Sequence, residues 1–204
     1  MGSMHPQLAA RLVKWVRDLP REQVHIYFTF KVAPVDRARN QIVEYFLTKR
    51  VRNNEPFTHL LMIDADTIPP EDAIERLLSH DKDIVTGLTP ILRYDAKTGA
   101  WDTNDNAFTH VDRDEKTGKV ITTHVARRHH GLQQVFRCGG SCLLVKRRVF
   151  EAILPPHFQF ESNENGTIHT RSEDIYFCDL VKFGGFEIYA DTHVVCGHYK
   201  EIML

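Results

Sequence analysis

The sequence predicts a single α/β domain built on a mostly parallel central sheet, and three observations carry that expectation. Strand-like and helix-like patterns alternate through the first half of the chain, as they do where crossover helices join parallel strands. A length of 204 residues suits one domain and is enough to bury a substantial core. An apolar run, Leu60-Leu61-Met62-Ile63, ends abruptly in Asp64-Ala65-Asp66. The carboxyl end of a strand is where open α/β sheets place their ligands.

Leu8, Leu12, Trp15, Val16 and Leu19 recur at helical spacing before Pro20, which predicts an amphipathic helix over 7–19. Val24 to Phe30 is rich in β-branched and aromatic residues and reads as a strand. Asp36 is placed to cap a helix whose apolar stripe is Ile42, Val43, Phe46 and Leu47. After the carboxylate-tipped strand, Pro69-Pro70-Glu71-Asp72 opens a short helix with acidic residues at its positive end. Asp83 to Thr86 begins a further strand, broken by Gly87 and Pro90. Residues 92–132 are polar, with short strand-like runs such as Val120 to Val125, and read as a loop or hairpin excursion. Val135 to Val145 resumes the sheet around Gly139-Gly140, and a helix over Lys146 to Ile153 stops at Pro155-Pro156. A loop containing Asn165-Gly166 leads to a helix from about Glu173 that ends at Gly184-Gly185. Glu187 to Val195 is the last strand, followed by Gly197-His198-Tyr199.

Composition excludes more than it assigns. A formal net charge of -1 gives no bulk attraction to nucleic acid or an anionic membrane. No apolar run reaches the roughly 20 residues of a transmembrane segment, and nothing resembles a secretory signal. Cys138, Cys142, Cys178 and Cys196 form no CxxC pair, so reduced core thiols in a cytoplasmic protein are the expectation. A zinc half-site at Cys138 and Cys142 lacks a second half. Met1-Gly2-Ser3 reads as a cloning remnant ahead of Met4.

Asp64 and Asp66 stand two apart, so both side chains lean toward one point past the strand end. Two such carboxylates repel unless a proton or a cation intervenes, and paired oxygen ligands suit a hard divalent ion. The bland alternative is a strand-end pair that caps the next helix. Ser172-Glu173-Asp174 reads first as a helix cap with acidic residues on its dipole, and also as a place for a general base. His198, next to Gly197, is positioned to close over a site, with His193 a competitor inside the strand pattern. Histidines 110, 124, 129, 130, 157 and 169 show no ligand spacing and read as surface or loop residues. Arg37, Arg39 and Asn40 either reach anionic phosphates or form a solvated helix face. The Arg127-Arg128-His129-His130 and Lys146-Arg147-Arg148 clusters lack interleaved aromatics and read as solvated charge.

In order and spacing these segments resemble glycosyltransferases of the GT-A fold, close to small family-two-like bacterial and phage enzymes. The matching stretches are Val35 to Asn40, Thr58 to Asp66, Lys82 to Gly87, Cys138 to Val145, Ser172 to Cys178 and Asp191 to Tyr199. The resemblance implies a Rossmann-like GT-A sheet and hexosyltransferase-like transfer of a sugar from a nucleotide-sugar donor. It implies Mn2+ or Mg2+ on the donor diphosphate, with Asp66 as direct ligand, Asp64 facing the ribose or the metal's waters, and His198 completing the shell. Arg39, Gly139 and Gly140 then fall on the donor side. Glu173 and Asp174 mark the acceptor side, with Asp174 as base if configuration inverts. The acceptor (glycan, lipid, protein or modified nucleic acid) is left open, and 92–132 and 155–171 are expected to shape its site. One departure is visible: the family's base-binding first strand precedes its first helix, and here a helix begins at about residue 7, which predicts a sheet lacking that strand and weakened donor binding. Two rival readings use the same residues. One is a haloacid-dehalogenase-type phosphatase with Asp64 as nucleophile and Asp66 as acid; the other is a non-catalytic nucleotide-sugar-binding protein.

Overall fold

The computed structural model describes residues 4–20, 24–29, 31–50, 54–95, 99–113, 120–125, 131–167 and 169–199. Helix α1 (Pro6–Asp18) is followed by the segment 24–29, which belongs to no helix or strand, and by α2 (Val35–Thr48). Then come β1 (His59–Ile63), β2 (Thr67–Ile68), α3 (Ala73–Ser79) and β3 (Ile84–Leu88). The excursion that follows contains β4 (Pro90–Asp95), β5 (Ala100–Asp105), β6 (Ala107–Arg113) and β7 (Val120–His124). The chain returns through β8 (Leu132–Val135), β9 (Arg137–Cys138), β10 (Cys142–Lys146) and α4 (Arg147–Ala152). It ends with β11 (Glu161–Ser162), β12 (His169–Arg171), α5 (Glu173–Phe183), β13 (Ile188–Val195) and β14 (Gly197–His198).

The central sheet has the order β1-β10-β3-β13-β8. Among the described residues only β3 and β13 pair in parallel; β1–β10, β10–β3 and β13–β8 are antiparallel. This overturns the mostly parallel, Rossmann-like GT-A sheet that the sequence predicted. The physical reason lies in β10. Helix–strand alternation shows that a connection returns to the same side of a sheet, but not which later strand slots between two earlier ones. After the excursion β10 enters between β1 and β3 and runs against both. The shared direction of β1, β3 and β13 nevertheless survives, because two antiparallel steps restore it. Their carboxyl ends therefore meet at one edge of the sheet, beside the start of β10.

Helices cover both faces. Leu143, Val145, Ile84, Ile188 and Met62 pack against α2, α4 and α5 through Val43, Phe46, Val149, Phe150 and Phe177. The alternate residues Leu144, Val85 and Val194 pack against α1 and α3 through Trp15, Ala73 and Leu77. This strict alternation is what a strand buried on both sides requires. Trp15 also donates its indole N–H to the Glu71 carbonyl at 2.8 Å, fixing α1 over the chain that enters α3.

One further expectation is corrected. Val24 to Phe30 reads as a strand in the sequence, but its described residues, 24–29, belong to no strand. The excursion over 92–132 takes the hairpin form: β4 pairs with β5, and β6 with both β7 and β9. His157 is loop-borne but buried, with its ring against Phe150, and burial lowers its pKa. The cluster at 127–130 and residues 1–3 lie outside the described residues.

Candidate functional site

The edge where β1, β3 and β13 end carries most of the residues singled out above. Asp64 follows β1 directly, and its N–H donates to the Ser141 carbonyl at 3.1 Å, which ties the motif to the start of β10. Its carbonyl accepts from Thr67 at 3.0 Å, so the chain turns and Asp66 is thrown outward. Consequently the two carboxylates enter different surroundings.

Asp64 faces inward. Arg39 Nη2 donates to its two oxygens at 2.9 and 3.3 Å. Arg39 itself is buried, at 5% exposure, and also donates from Nη1 to the Gly140 carbonyl at 2.8 Å. Its Nε lies 3.2 Å from Glu173 Oε1 without hydrogen-bond geometry. One guanidinium thus joins α2, the turn before β10, the end of β1 and the start of α5. Asn40, the next residue, is structural: it donates to the Phe158 carbonyl at 2.7 Å and accepts from the His157 and Phe158 N–H groups. Arg37 is exposed.

The charges around Arg39 do not balance. Burial raises the pKa of Asp64, opposed by Arg39 and reinforced by Asp66 and Asp174. Burial also raises that of Glu173, reinforced by Asp174 and opposed by Arg39. Glu173 opens α5 and is buried, whereas Asp174 is partly exposed. Asp174 Oδ1 accepts from the Ser172 hydroxyl and from the Ile175 N–H. Among the described residues no hydrogen bond engages its Oδ2.

Asp66 faces outward. His198, in β14, pairs across to Thr67 of β2. Its Nδ1 lies 2.7 Å from the Pro90 carbonyl. A carbonyl only accepts, so Nδ1 carries the proton, and Nε2 is left pointing to Asp66 Oδ2 at 3.4 Å. In the neutral ring both facing atoms are acceptors. The Tyr199 N–H donates to the Asp66 carbonyl at 2.9 Å, holding the two strand ends together. Among the described residues, no three His, Cys, Asp or Glu side chains gather closely enough to hold an ion by themselves.

The glycines have a definite steric role. A Cβ at Gly140 would stand 2.3 Å from Arg39 Nη1, and one at Gly139 would stand 2.7 Å from Asn106 Nδ2. Both positions therefore make room for protein side chains. Asn106 belongs to a buried network that sequence reading missed: it accepts from the Thr89 N–H at 2.9 Å and donates to Ser141 Oγ, which donates to Thr89 Oγ1. A buried Asp191 paired with His80 at 2.8 Å was also missed in that role. His193, the competitor to His198, turns its N–H to Asp191. All four cysteines are free and buried.

No family model and no curated protein matches the chain. Among solved structures, the crystal structure of A197 from STIV is similar, with a TM-score of 0.58 and 20% identity over 98% of this chain and 82% of that one. At that identity the likeness extends to the fold alone. The fold in question is the mixed, largely antiparallel sheet described above.

Proposed function

We propose that this protein transfers a sugar from a nucleotide-sugar donor and that Asp66 and His198 hold the divalent cation, Mn2+ or Mg2+, on which donor binding depends. The observation that carries the reading is the His198 ring. Its Nδ1 proton is committed to the Pro90 carbonyl, and Nε2 stands 3.4 Å from Asp66 Oδ2, so the neutral ring would turn its free lone pair to the point the carboxylate also faces. Metal-binding histidines are oriented in this way, through a hydrogen bond from the other ring nitrogen. Two protein ligands leave the rest of the shell to water and substrate phosphates, the usual state of magnesium sites in phosphoryl-bearing enzymes. When bound, the cation stabilises negative charge on the leaving diphosphate as a Lewis acid.

The other residues act around that point. Arg39 fixes the Asp64 carboxylate, which would face donor hydroxyls or water at the rim. Asp174 offers Oδ2 to an acceptor hydroxyl, while Ser172 and the start of α5 hold its other oxygen. A general base so placed contributes about 10²–10⁴-fold. The acceptor class is assigned to the excursion that starts at Pro90, which meets His198, and to the 155–171 loop, whose Phe158 ring lies 5.7 Å from the Arg39 guanidinium carbon. The phosphatase alternative requires Asp64 to attack as a nucleophile, and its oxygens are both engaged by Arg39.

The test is thermal stabilisation against UDP-, GDP-, CMP- and dTDP-sugars, with manganese and with excess chelator. A ligand that binds only the folded state raises stability by RT ln(1 + [L]/Kd). We expect a manganese-dependent shift for one nucleotide class, lost in Asp66→Asn. Asp174→Asn is expected to keep the shift and lose transfer. A folded protein that shifts with no donor contradicts the reading.

A further inference from the structure

Cys138 and Cys178 stand 40 residues apart in the chain, and their sulfurs lie 4.0 Å from each other. Cys138 ends β9, immediately before the Gly139-Gly140 turn, and Cys178 is at the middle of α5. Both are buried, in the core layer that α5 covers. The fit involves more than the two sulfurs. The Cys178 sulfur accepts from the Cys138 N–H at 3.4 Å and donates to the Cys138 carbonyl at 3.4 Å. One side chain is thereby held against the backbone of the other, which fixes its approach. Bonded sulfurs stand about 2.05 Å apart, so closure asks for about 2 Å of movement shared between two side chains.

The choice of partner is also built in. Cys142 and Cys196 belong to the core layer on the opposite face of the sheet, with Trp15 and Leu77. Cys138 and Cys142, the thiols nearest in sequence, thus fall in different layers. The hydrogen bond with Cys178, and then burial, push the Cys138 thiol upward. A thiol held in this way yields little thiolate once the protein is folded. Bond formation therefore belongs to the moment when α5 docks on β9, while both sulfurs are still reachable.

We propose that Cys138 and Cys178 form a disulfide when the chain folds in the presence of a small-molecule disulfide, oxidised glutathione being the probe. One cysteine thiolate attacks the glutathione disulfide, and one glutathione leaves as thiolate. The second cysteine thiolate attacks the protein sulfur of the mixed disulfide and expels the other glutathione. The protein gives up two protons and two electrons, and one glutathione disulfide becomes two thiols. The bond ties α5, which opens with Glu173 and Asp174, to the turn whose Gly140 carbonyl holds Arg39. It does not depend on the proposed activity.

Oxidative refolding tests it. The protein is unfolded with reductant, refolded in oxidised and reduced glutathione, alkylated, and digested without reduction for mass spectrometry. Peptides joined through Cys138 and Cys178 are expected in most chains. Closing a loop of this length should raise the melting temperature by about 5–15 °C over the reduced protein. Cys178→Ser should lose that rise, whereas Cys142→Ser with Cys196→Ser should keep both bond and rise. Where a variant fails to fold, the peptide map and melting of the unaltered protein decide. Four alkylated thiols after oxidative refolding overturn the proposal and leave a packed pair of reduced thiols. So does Cys138 joined to Cys142, Cys196 or glutathione, or a Cys138–Cys178 bond that leaves the melting temperature unchanged.

Discussion

Asp64 and Asp66 stand two residues apart, yet one meets a buried guanidinium and the other an imidazole near the surface. On the inner side Arg39 is 6% exposed in its side chain and Glu173 is 8%. On the outer side the Asp66 side chain is 52% exposed and is joined to His198 across 3.4 Å. The inner cluster is a structural joint, since every contact of Arg39 links a different segment of the chain. The outer pair joins only two strand ends, with His198 Nε2 3.4 Å from Asp66 Oδ2. Low dielectric makes the inner charges costly to uncouple, while solvent makes the outer ones cheap to change. Substitutions on the inner side should therefore register in stability, and those on the outer side in ligand binding.

The largest effect is expected from Arg39→Met. It leaves Asp64 and Glu173 without their cation, and breaking one side of a buried pair costs about 3–5 kcal/mol. Urea denaturation reads this directly. Arg39→Lys keeps the charge but not the fork, and should lie between. A loss under 1 kcal/mol for Arg39→Met would dissolve the distinction between the two sides.

Next is Gly140→Ala. The added methyl would meet Arg39 Nη1 at 2.3 Å, and overpacking of this kind costs about 1–3 kcal/mol. Gly166 has nothing near its Cβ position but a φ of +66°. Gly166→Ala should then cost only the smaller backbone penalty of a left-handed residue, about 1 kcal/mol.

These sites also show what the sequence could and could not reveal. The Asp64-Ala65-Asp66 motif, the start of α5 at Glu173 and its end at Gly184 were legible because each is written locally, in period, cap and breaker. The sequence placed a site past the end of one strand; that β3 and β13 end beside it, in a largely antiparallel sheet, is a finding of the structure. Nothing local in Cys142 to Lys146 says that it will insert between β1 and β3, because register is decided by partners far along the chain. The same limit hid Arg39. At a helix start it reads as a phosphate contact or a solvated charge, and only the approach of Gly140 and Glu173 turns it into a buried joint. Asn106, Ser141 and Thr89 escaped for that reason too: three ordinary polar residues become a network only when the excursion folds back.

A smaller effect separates the two sides by pH. Burial raises the pKa of Glu173 above its ordinary value. An acid raised in this way binds its proton more tightly in the folded state. Its stabilising share is complete below the unfolded pKa, about 4.3, and is lost as pH rises through the folded value. Glu173→Gln should therefore melt slightly higher than the unaltered protein at pH 7–8, with the gain fading as pH falls toward 4. A gain that grows with acid would reverse the assignment.

Asp66→Asn should scarcely alter stability, within about 0.5 kcal/mol, as expected for an exposed residue in solvent. On the proposed reading its consequence is the loss of the cation. The most direct measurement is Mn2+ binding followed by electron paramagnetic resonance of the free ion, with and without nucleoside diphosphates, for the unaltered protein, Asp66→Asn and His198→Gln. The account expects Mn2+ to bind with an affinity that one diphosphate strengthens at least tenfold, and each substitution to lower it at least tenfold while leaving the melting temperature in place. Mn2+ affinity unchanged by both substitutions would contradict it.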